Sequence, residues 1–291
     1  METKELLKKV RQLEIRTRGL VNQVFSGEYH SVFKGRGMEF SEVREYTYGD
    51  DIRAIDWNVT ARLNRPFVKI FEEERELTVI LLVDMSGSQF FGSQASLKRD
   101  VAVELSAILA FSAMKNNDKV GAILFTEEIE KFIPPRKGKS HALRIVRELL
   151  SFEPKKRGTS IKTAVEYLNH IQKKRSIVFL ISDFMDSGYE TALRIAGKRH
   201  DLIGVALLDP REHELPNVGL ITFRDAETGA QRWIDTSDGR VRSSYRSFRD
   251  ATQKNRKSMF IKSRLDAVEV RLDQPYMKPL ADFFRLRERR W

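Results

Sequence analysis

The 291-residue chain contains no cysteine, which removes both a disulfide framework and any thiolate metal site. No apolar stretch approaches the ~20 residues that a membrane span requires. The longest run, around Leu77 to Val83, is the length of a strand. The segment Met1 to Lys9 is charged throughout and lacks the apolar stretch of a signal peptide, so the sequence predicts a cytoplasmic protein. Histidine is sparse. His30, His141, His170, His200 and His213 fall in different elements without ligand spacing and read as surface or hydrogen-bonded positions. No Gly-x-Ser-x-Gly elbow surrounds Ser86, and no P-loop sequence is present. An aspartyl phosphatase would want a second Asp two residues after Asp84, and Ser86 stands there instead.

What the chain does have is positive charge, with 52 Lys and Arg against 41 Asp and Glu, a net charge of +11. The basic residues lie in short groups such as Arg136-Lys137, Lys155-Lys156-Arg157 and Lys173-Lys174-Arg175, with Arg285, Arg287, Arg289 and Arg290 near the end. Spread in this way, without RNA-binding aromatics or zinc-finger spacing, they read as a solvated basic surface rather than a nucleic-acid footprint. Hydrophobic residues make up 41% of the chain, enough for a sizeable core.

Leu6, Leu7, Val10, Leu13, Leu20, Val21 and Val24 mark a helix over 3–25. Residues 27–65 show no sustained period, and 66–76 alternate like a half-exposed strand. From residue 77 strands and helices take turns. Strands are predicted at 77–83, 119–125, 176–182 and 202–208, and helices at 96–115, 140–150, 160–173 and 188–199. A short edge strand, Ile129 to Ile133, is expected to stop at Pro134-Pro135. This alternation predicts an α/β fold, a doubly wound and mostly parallel sheet covered on both faces. After Asp209-Pro210 the rhythm breaks. A hairpin is predicted, with Glu227-Thr228-Gly229 as the turn between Gly219–Phe223 and Gln231–Ile234. A helix over 240–261, a strand over 267–272 and a helix from Tyr276 to Arg289 complete the pattern. The hairpin reads as an insertion at about 211–239, free to pair with strand 66–76 in a small β-rich subdomain. The division is therefore 1–76, an N-terminal helix and glycine-containing segment, and 77–291, the α/β domain.

Three separated places carry the chemistry. Asp84, Ser86 and Ser88 stand as Asp84-Met85-Ser86-Gly87-Ser88 directly after one apolar run. Asp183 follows a second run, and Thr159 lies in the basic loop Lys155–Ser160 between them. Two carboxylates and three hydroxyls are hard oxygen ligands, suited to Mg²⁺ and, among other hard divalent ions, Mn²⁺ or Ca²⁺. On parallel strands both acidic tips emerge at the same sheet edge, where open α/β sheets bind ligands. So few carboxylates leave such an ion electrophilic, with a coordination position for an acidic side chain of a protein partner. The competing reading makes Asp84 and Asp183 helix caps and the serines turn residues.

These residues resemble the metal-ion-dependent adhesion site of von Willebrand factor A domains, with all five ligand positions matched across roughly 77–209. A longer resemblance, to the domain-of-unknown-function 58 family, runs through Gly35-Arg36-Gly37-Met38-Glu39-Phe40, Arg44-Glu45-Tyr46, Gly49-Asp50-Asp51-Ile52-Arg53 and Ile55-Asp56-Trp57. That family resemblance implies partnership with MoxR-type AAA+ ATPases and an adaptor role in chaperone-like assembly or metal insertion. Read from its residues, the Arg44-to-Trp57 motif is structural: Trp57 and Tyr46 pack, while Asp50, Asp51 and Arg53 make caps or ion pairs. The expectation is a non-enzymatic, Mg²⁺-dependent binding module. The alternative is a Mg²⁺-dependent phosphoester hydrolase, for which Asp186 and Asp209 are the only obvious bases.

Overall fold

The computed structural model describes residues 3–24, 38–73, 76–93 and 96–289. Gly35-Arg36-Gly37, His30 and Arg290 lie outside them. The chain divides into two compact units, 33–77 on one side and 1–32 with 78–291 on the other. The first helix, α1 (Thr3–Val24), thereby groups with the α/β unit, whereas the sequence division at 76 keeps it with the signature segment.

In the smaller unit β1 (Met38–Glu45) pairs antiparallel with β2 (Phe67–Glu73). The motif between them consists of caps and ion pairs, Arg44 with Asp50, Glu45 with Arg65 and Asp56 with Lys69. Arg44 grips Asp50 through two nitrogens at 2.6 and 2.8 Å, which, together with the Thr47 amide, holds the Asp50 carboxyl down to about 2. Asp51 accepts from the Arg53 amide, and Asp56 caps α2 (Trp57–Leu63) through the amides of Asn58 and Val59. Trp57 departs from the sequence expectation. It does not pack but stands 67% exposed, at the first position of a short helix with no buried residue.

The larger unit contains, in order, β3 (Thr78–Asp84), α3 (Lys98–Lys115), β4 (Lys119–Phe125), β5 (Ile129–Arg136), α4 (Lys139–Ser151), α5 (Ile161–Ile171), β6 (Ile177–Ser182), α6 (Glu190–Arg199), β7 (Asp201–Leu208) and the short α7 (Pro210–His213). β8 (Leu220–Arg224), β9 (Gln231–Asp235), α8 (Gly239–Lys262), β10 (Asp266–Arg271) and α9 (Met277–Glu288) follow. The main sheet runs β10-β7-β6-β3-β4-β5, parallel except for β5 at the edge. This is the doubly wound α/β fold predicted from the alternating pattern. The strands are apolar on both faces because helices cover both, and Val79 to Val83 are wholly buried. Successive β6 residues alternate sides. Val178 and Leu180 pack with Ile161, Val165 and Leu193, while Phe179 meets Phe284 edge-on at 6.4 Å.

Three further expectations change in the structure. Pro134-Pro135 does not stop β5, which continues to Arg136 with a register shift opposite Gly121. An edge strand tolerates proline because one side needs no ladder bond, and a Cβ on Gly121 would press on the Ile133 carbonyl and the Pro135 nitrogen. The hairpin β8–β9 pairs within itself, and β2 takes β1 as its partner. His200, expected at the surface or hydrogen-bonded, is 1% exposed, with neither ring nitrogen bonded.

Burial first, and then the charges of Arg199 and Arg175, push the His200 imidazole down to about 4. The unfolded chain therefore takes up this proton near 6.5 while the folded chain refuses it until about 4. Folding stability from this group is full above pH 6.5 and is lost as pH falls toward 4. Urea unfolding from pH 7 to 4.5 should show a decline of roughly 1–3 kcal/mol from this source that His200→Phe flattens. Parallel pH profiles for the two chains would refute it.

Candidate metal centre

β3 and β6 lie side by side, with β4 beyond β3 and β7 beyond β6, so the sheet's topological switch point falls between their C-terminal ends. Asp84 closes β3 and Asp183 follows β6 by one residue. Both are buried. Asp84 accepts from the Ser86 amide at 3.0 Å, the Ser182 hydroxyl at 2.6 Å and the Gln89 side-chain amide at 3.4 Å. These donors are neutral. Burial first and the charge of Asp183 second push the Asp84 carboxyl up to about 7, against the hydrogen bonds from Ser182 and Ser86.

Ser86 begins a tight turn of 3-10 helix, Gly87–Phe90, and places its Oγ 3.2 Å from that of Ser88. Two neighbouring ligands of an octahedral Mg²⁺, each ~2.1 Å away and at right angles, stand about 3.0 Å apart. The serine pair matches that spacing. Backbone bonds fix its loop: the Met85 amide donates to Phe125 O at 2.9 Å, and the Gly87 amide to Arg157 O at 2.8 Å. The second bond ties the serine loop to the loop carrying Thr159, which is anchored in turn by the Ser160 amide on Thr126 O at 2.9 Å. Ser160 then caps α5 through the Thr163 amide.

Asp183 is held from both ends. Its Oδ1 accepts from the Met185 amide at 3.2 Å, and its Oδ2 from the Lys98 ammonium at 2.6 Å. The turn depends on Phe184, a non-glycine residue at φ 56°, a left-handed conformation that costs about 1–3 kcal/mol. Its ring, 5.2 Å from Phe260 and 6.2 Å from Tyr189, is locked into the core. The expected residues thus assemble as follows. Asp84, Ser86 and Ser88 share one loop, Asp183 lies near enough to raise the Asp84 carboxyl, and Thr159 is brought in by the tethered loop.

Sequence reasoning missed three further residues. Lys98, in the first turn of α3, is wholly buried, with its ammonium between Asp183 and, at 2.5 Å, Glu212. Burial pulls its pKa down, but the two carboxylates more than reverse this. Glu212, on α7, is raised by burial, with Lys98 opposing. Glu227, at the hairpin turn, accepts from the Thr159 hydroxyl at 2.6 Å. Its carboxyl is also raised, by burial before the charges of Asp183, Asp225 and Asp186, with the Thr159 bond opposing. Each partner lies more than sixty residues away in sequence, so no local pattern could have announced these contacts. A cavity of about 380 Å³ opens beside Asp183 and Glu212, with Arg249 and Arg256 on its wall.

Among the described residues no group of three His, Cys, Asp or Glu side chains is placed to hold a metal by itself. A cation here would rest on hydroxyls as much as on carboxylates. Nor is any helix among them long and apolar enough to cross a membrane.

Fold and site together define a doubly wound α/β domain with an oxygen-lined switch-point site. The chain belongs to the family described as "Protein of unknown function DUF58", whose profile matches residues 42–257. An uncharacterized protein of Mycobacterium tuberculosis is 33% identical over 226 residues, 77% of this chain and 71% of that one. The uncharacterized protein YeaD of Bacillus subtilis is 28% identical over 109 residues, 38% of this chain and 25% of that one. Among solved structures, an aerotolerance-related membrane protein from Bacteroides fragilis overlies 74% of this chain and 100% of its own, with a TM-score of 0.49 and 15% identity. The fold assignment stands on strand order and direction.

Removing one partner of a buried ion pair costs about 3–5 kcal/mol. Lys98→Met should lower stability by about that much at pH 8 and by less at pH 5, where the Glu212 carboxyl, raised by burial and no longer opposed by the ammonium, takes up a proton. Urea titrations at both values measure it. A loss below about 1 kcal/mol at pH 8 would show that the ammonium is not needed.

Proposed function

We propose that this chain is a non-enzymatic binding module that holds a divalent cation, Mg²⁺ in the first instance, in a metal-ion-dependent adhesion site, and through it captures an acidic side chain of a protein partner. One observation carries the reading: two hydroxyls 3.2 Å apart stand beside two buried carboxylates at the switch point, one of which, Asp84, meets no cationic donor among the described residues. Ser86, Ser88 and Thr159 would ligate directly, with Asp84 and Asp183 acting directly or through water. The ion would supply Lewis acidity toward a carboxylate. The chain supplies a fixed hydroxyl pair and the Lys98 contact that aligns Asp183.

The family resemblance implies a MoxR-type AAA+ ATPase as the partner and an adaptor role in chaperone-like assembly, and the cytoplasmic setting is the reading drawn from the sequence alone. Phosphoester hydrolysis finds less support. Asp186 accepts from the Ile161 and Ser187 amides, and Asp209, the cap of α7, from Ser93 and the Arg211 amide, so both prospective bases are already committed to backbone donors.

Calorimetry and thermal unfolding with Mg²⁺ or Mn²⁺ test the reading. At a hundredfold excess over Kd the ion should stabilise the native chain by about 2.7 kcal/mol. Ser86→Ala and Thr159→Val should abolish that gain while leaving the circular dichroism unchanged. Capture of the partner ATPase should then require the ion and cease with chelator. Equal capture by wild type and Asp84→Ala, with or without chelator, would overturn the proposal. Phosphodiester turnover that vanishes in Asp183→Ala would replace it with the hydrolase.

A further inference from the structure

The hairpin that interrupts the α/β rhythm reaches back over the site. Its turn is tightly built: Asp225 Oδ1 accepts from the amides of Glu227 at 2.9 Å and Thr228 at 2.8 Å, the Gly229 amide donates to Asp225 O, and Gly229 takes φ 73°. That turn is seated on the serine loop, since a Cβ on Gly87 would strike the Ala226 carbonyl on one side and press on Arg157 O on the other. From this seat Glu227 points inward and accepts the Thr159 hydroxyl at 2.6 Å. By contrast the hairpin's strands are largely exposed, with Trp233 at 72% and Leu220 at 63%. Its base is closed by Thr236 on Gly219 O at 2.6 Å, and Phe223, near the tip end of β8, lies edge-on to Tyr245. Base and tip are therefore both anchored, and the tip's anchor is a carboxylate on a proposed metal ligand.

We infer that Glu227 is an internal acidic ligand of the site, occupying the coordination position that a partner's carboxylate would take, so that the hairpin tip and the partner compete. The inference rests on the proposed metal site and adds its regulation. A carboxylate is the ligand class the ion requires. Glu227 lies on a covalently attached loop whose effective concentration at the site is that of a short tether. The chain thus holds its own competitor, and binding requires the tip to lift from Gly87.

The test uses Mn²⁺ alone as probe, on the full chain and its Ser86→Ala, Glu227→Ala and Glu227→Gln variants. Three quantities are read: Mn²⁺ affinity, the number of exchangeable waters on bound Mn²⁺ from water-proton relaxation, and amide hydrogen exchange over 225–230. In wild type, Mn²⁺ should increase protection of the tip. Glu227→Ala should weaken Mn²⁺ binding about 10-fold, add one exchangeable water and abolish the ion-dependent protection. Added acetate should then displace that water in Glu227→Ala and not in wild type. Glu227→Gln, which keeps an acceptor for Thr159 but not the charge, should retain the tip's protection without metal and lose the increase with it. If wild type binds no Mn²⁺, or Ser86→Ala binds it equally well, the metal site itself fails. If binding depends on Ser86 but Glu227→Ala leaves affinity, water count and exchange unchanged, the internal ligand alone is overturned.

Discussion

The structure is organised around negative charge brought together at the end of two buried strands. Asp84 and Asp183 close β3 and β6, and Glu212 and Glu227 arrive from later elements. Lys98 answers Asp183 and Glu212. Among the described residues Asp84 has only neutral donors around it, and burial, then the charge of Asp183, drives its carboxyl up to about 7. A folded chain tolerates a buried carboxylate when a hydrogen-bond network or a counter-ion meets it. The hydroxyls of Ser86 and Ser88, turned toward the same edge, are poor counter-charges but good ligands. Their presence makes sense if a cation completes the arrangement.

Rigidity follows from this concentration of charge. The strand ends cannot shift without breaking the Lys98 bridge, and the strained turn at Phe184 is over-determined by its aromatic contacts. The serine loop is fixed between Phe125 O and Arg157 O, so the ligand hydroxyls are positioned by backbone bonds rather than by side-chain rotamers alone. Hairpin and α7 differ in kind. They lie outside the sheet, and they contribute Glu227 and Glu212 through single side-chain contacts. The fixed part can define a coordination geometry, and the appended part can alter which oxygen fills it.

Much of the scaffold was legible in the sequence because burial on both faces writes itself as continuous apolar runs, as at Leu77–Val83 and Ile177–Ser182. Asp84 and Asp183 were readable because they terminate those runs. What could not be read depends on contacts remote in sequence. Lys98 looks like an ordinary helix-start lysine until Asp183 and Glu212 close around it, and Glu227 looks like a turn residue until Thr159 meets it. Pro134-Pro135 misled because an edge strand can carry proline on its unpaired side without stopping, and Trp57 because aromatic character was taken as packing. β1 carries no strict alternation, being a strand whose pairing with β2 alone defines it.

An internal acid at the site changes what affinity means for such a module. A partner's carboxylate must displace Glu227, so each 1.4 kcal/mol holding the tip down weakens capture tenfold. Among the described residues the tip itself is held at the site by one charge-assisted bond to Thr159 and the seat on Gly87. A bond to a charged group is worth about 1.5–3 kcal/mol, which corresponds to a penalty of roughly 10- to 100-fold. That range suits a switch, because it suppresses binding to stray acidic side chains yet yields to a second contact of similar strength. The exposed outer face of the hairpin, with Trp233 and Leu220, offers such a contact. A partner touching both the hairpin face and the ion would release the competitor as it binds, whereas an isolated carboxylate would not. Selectivity in this chain would then reside in the coupling between hairpin and ion more than in the ion, whose chemistry any acid can satisfy.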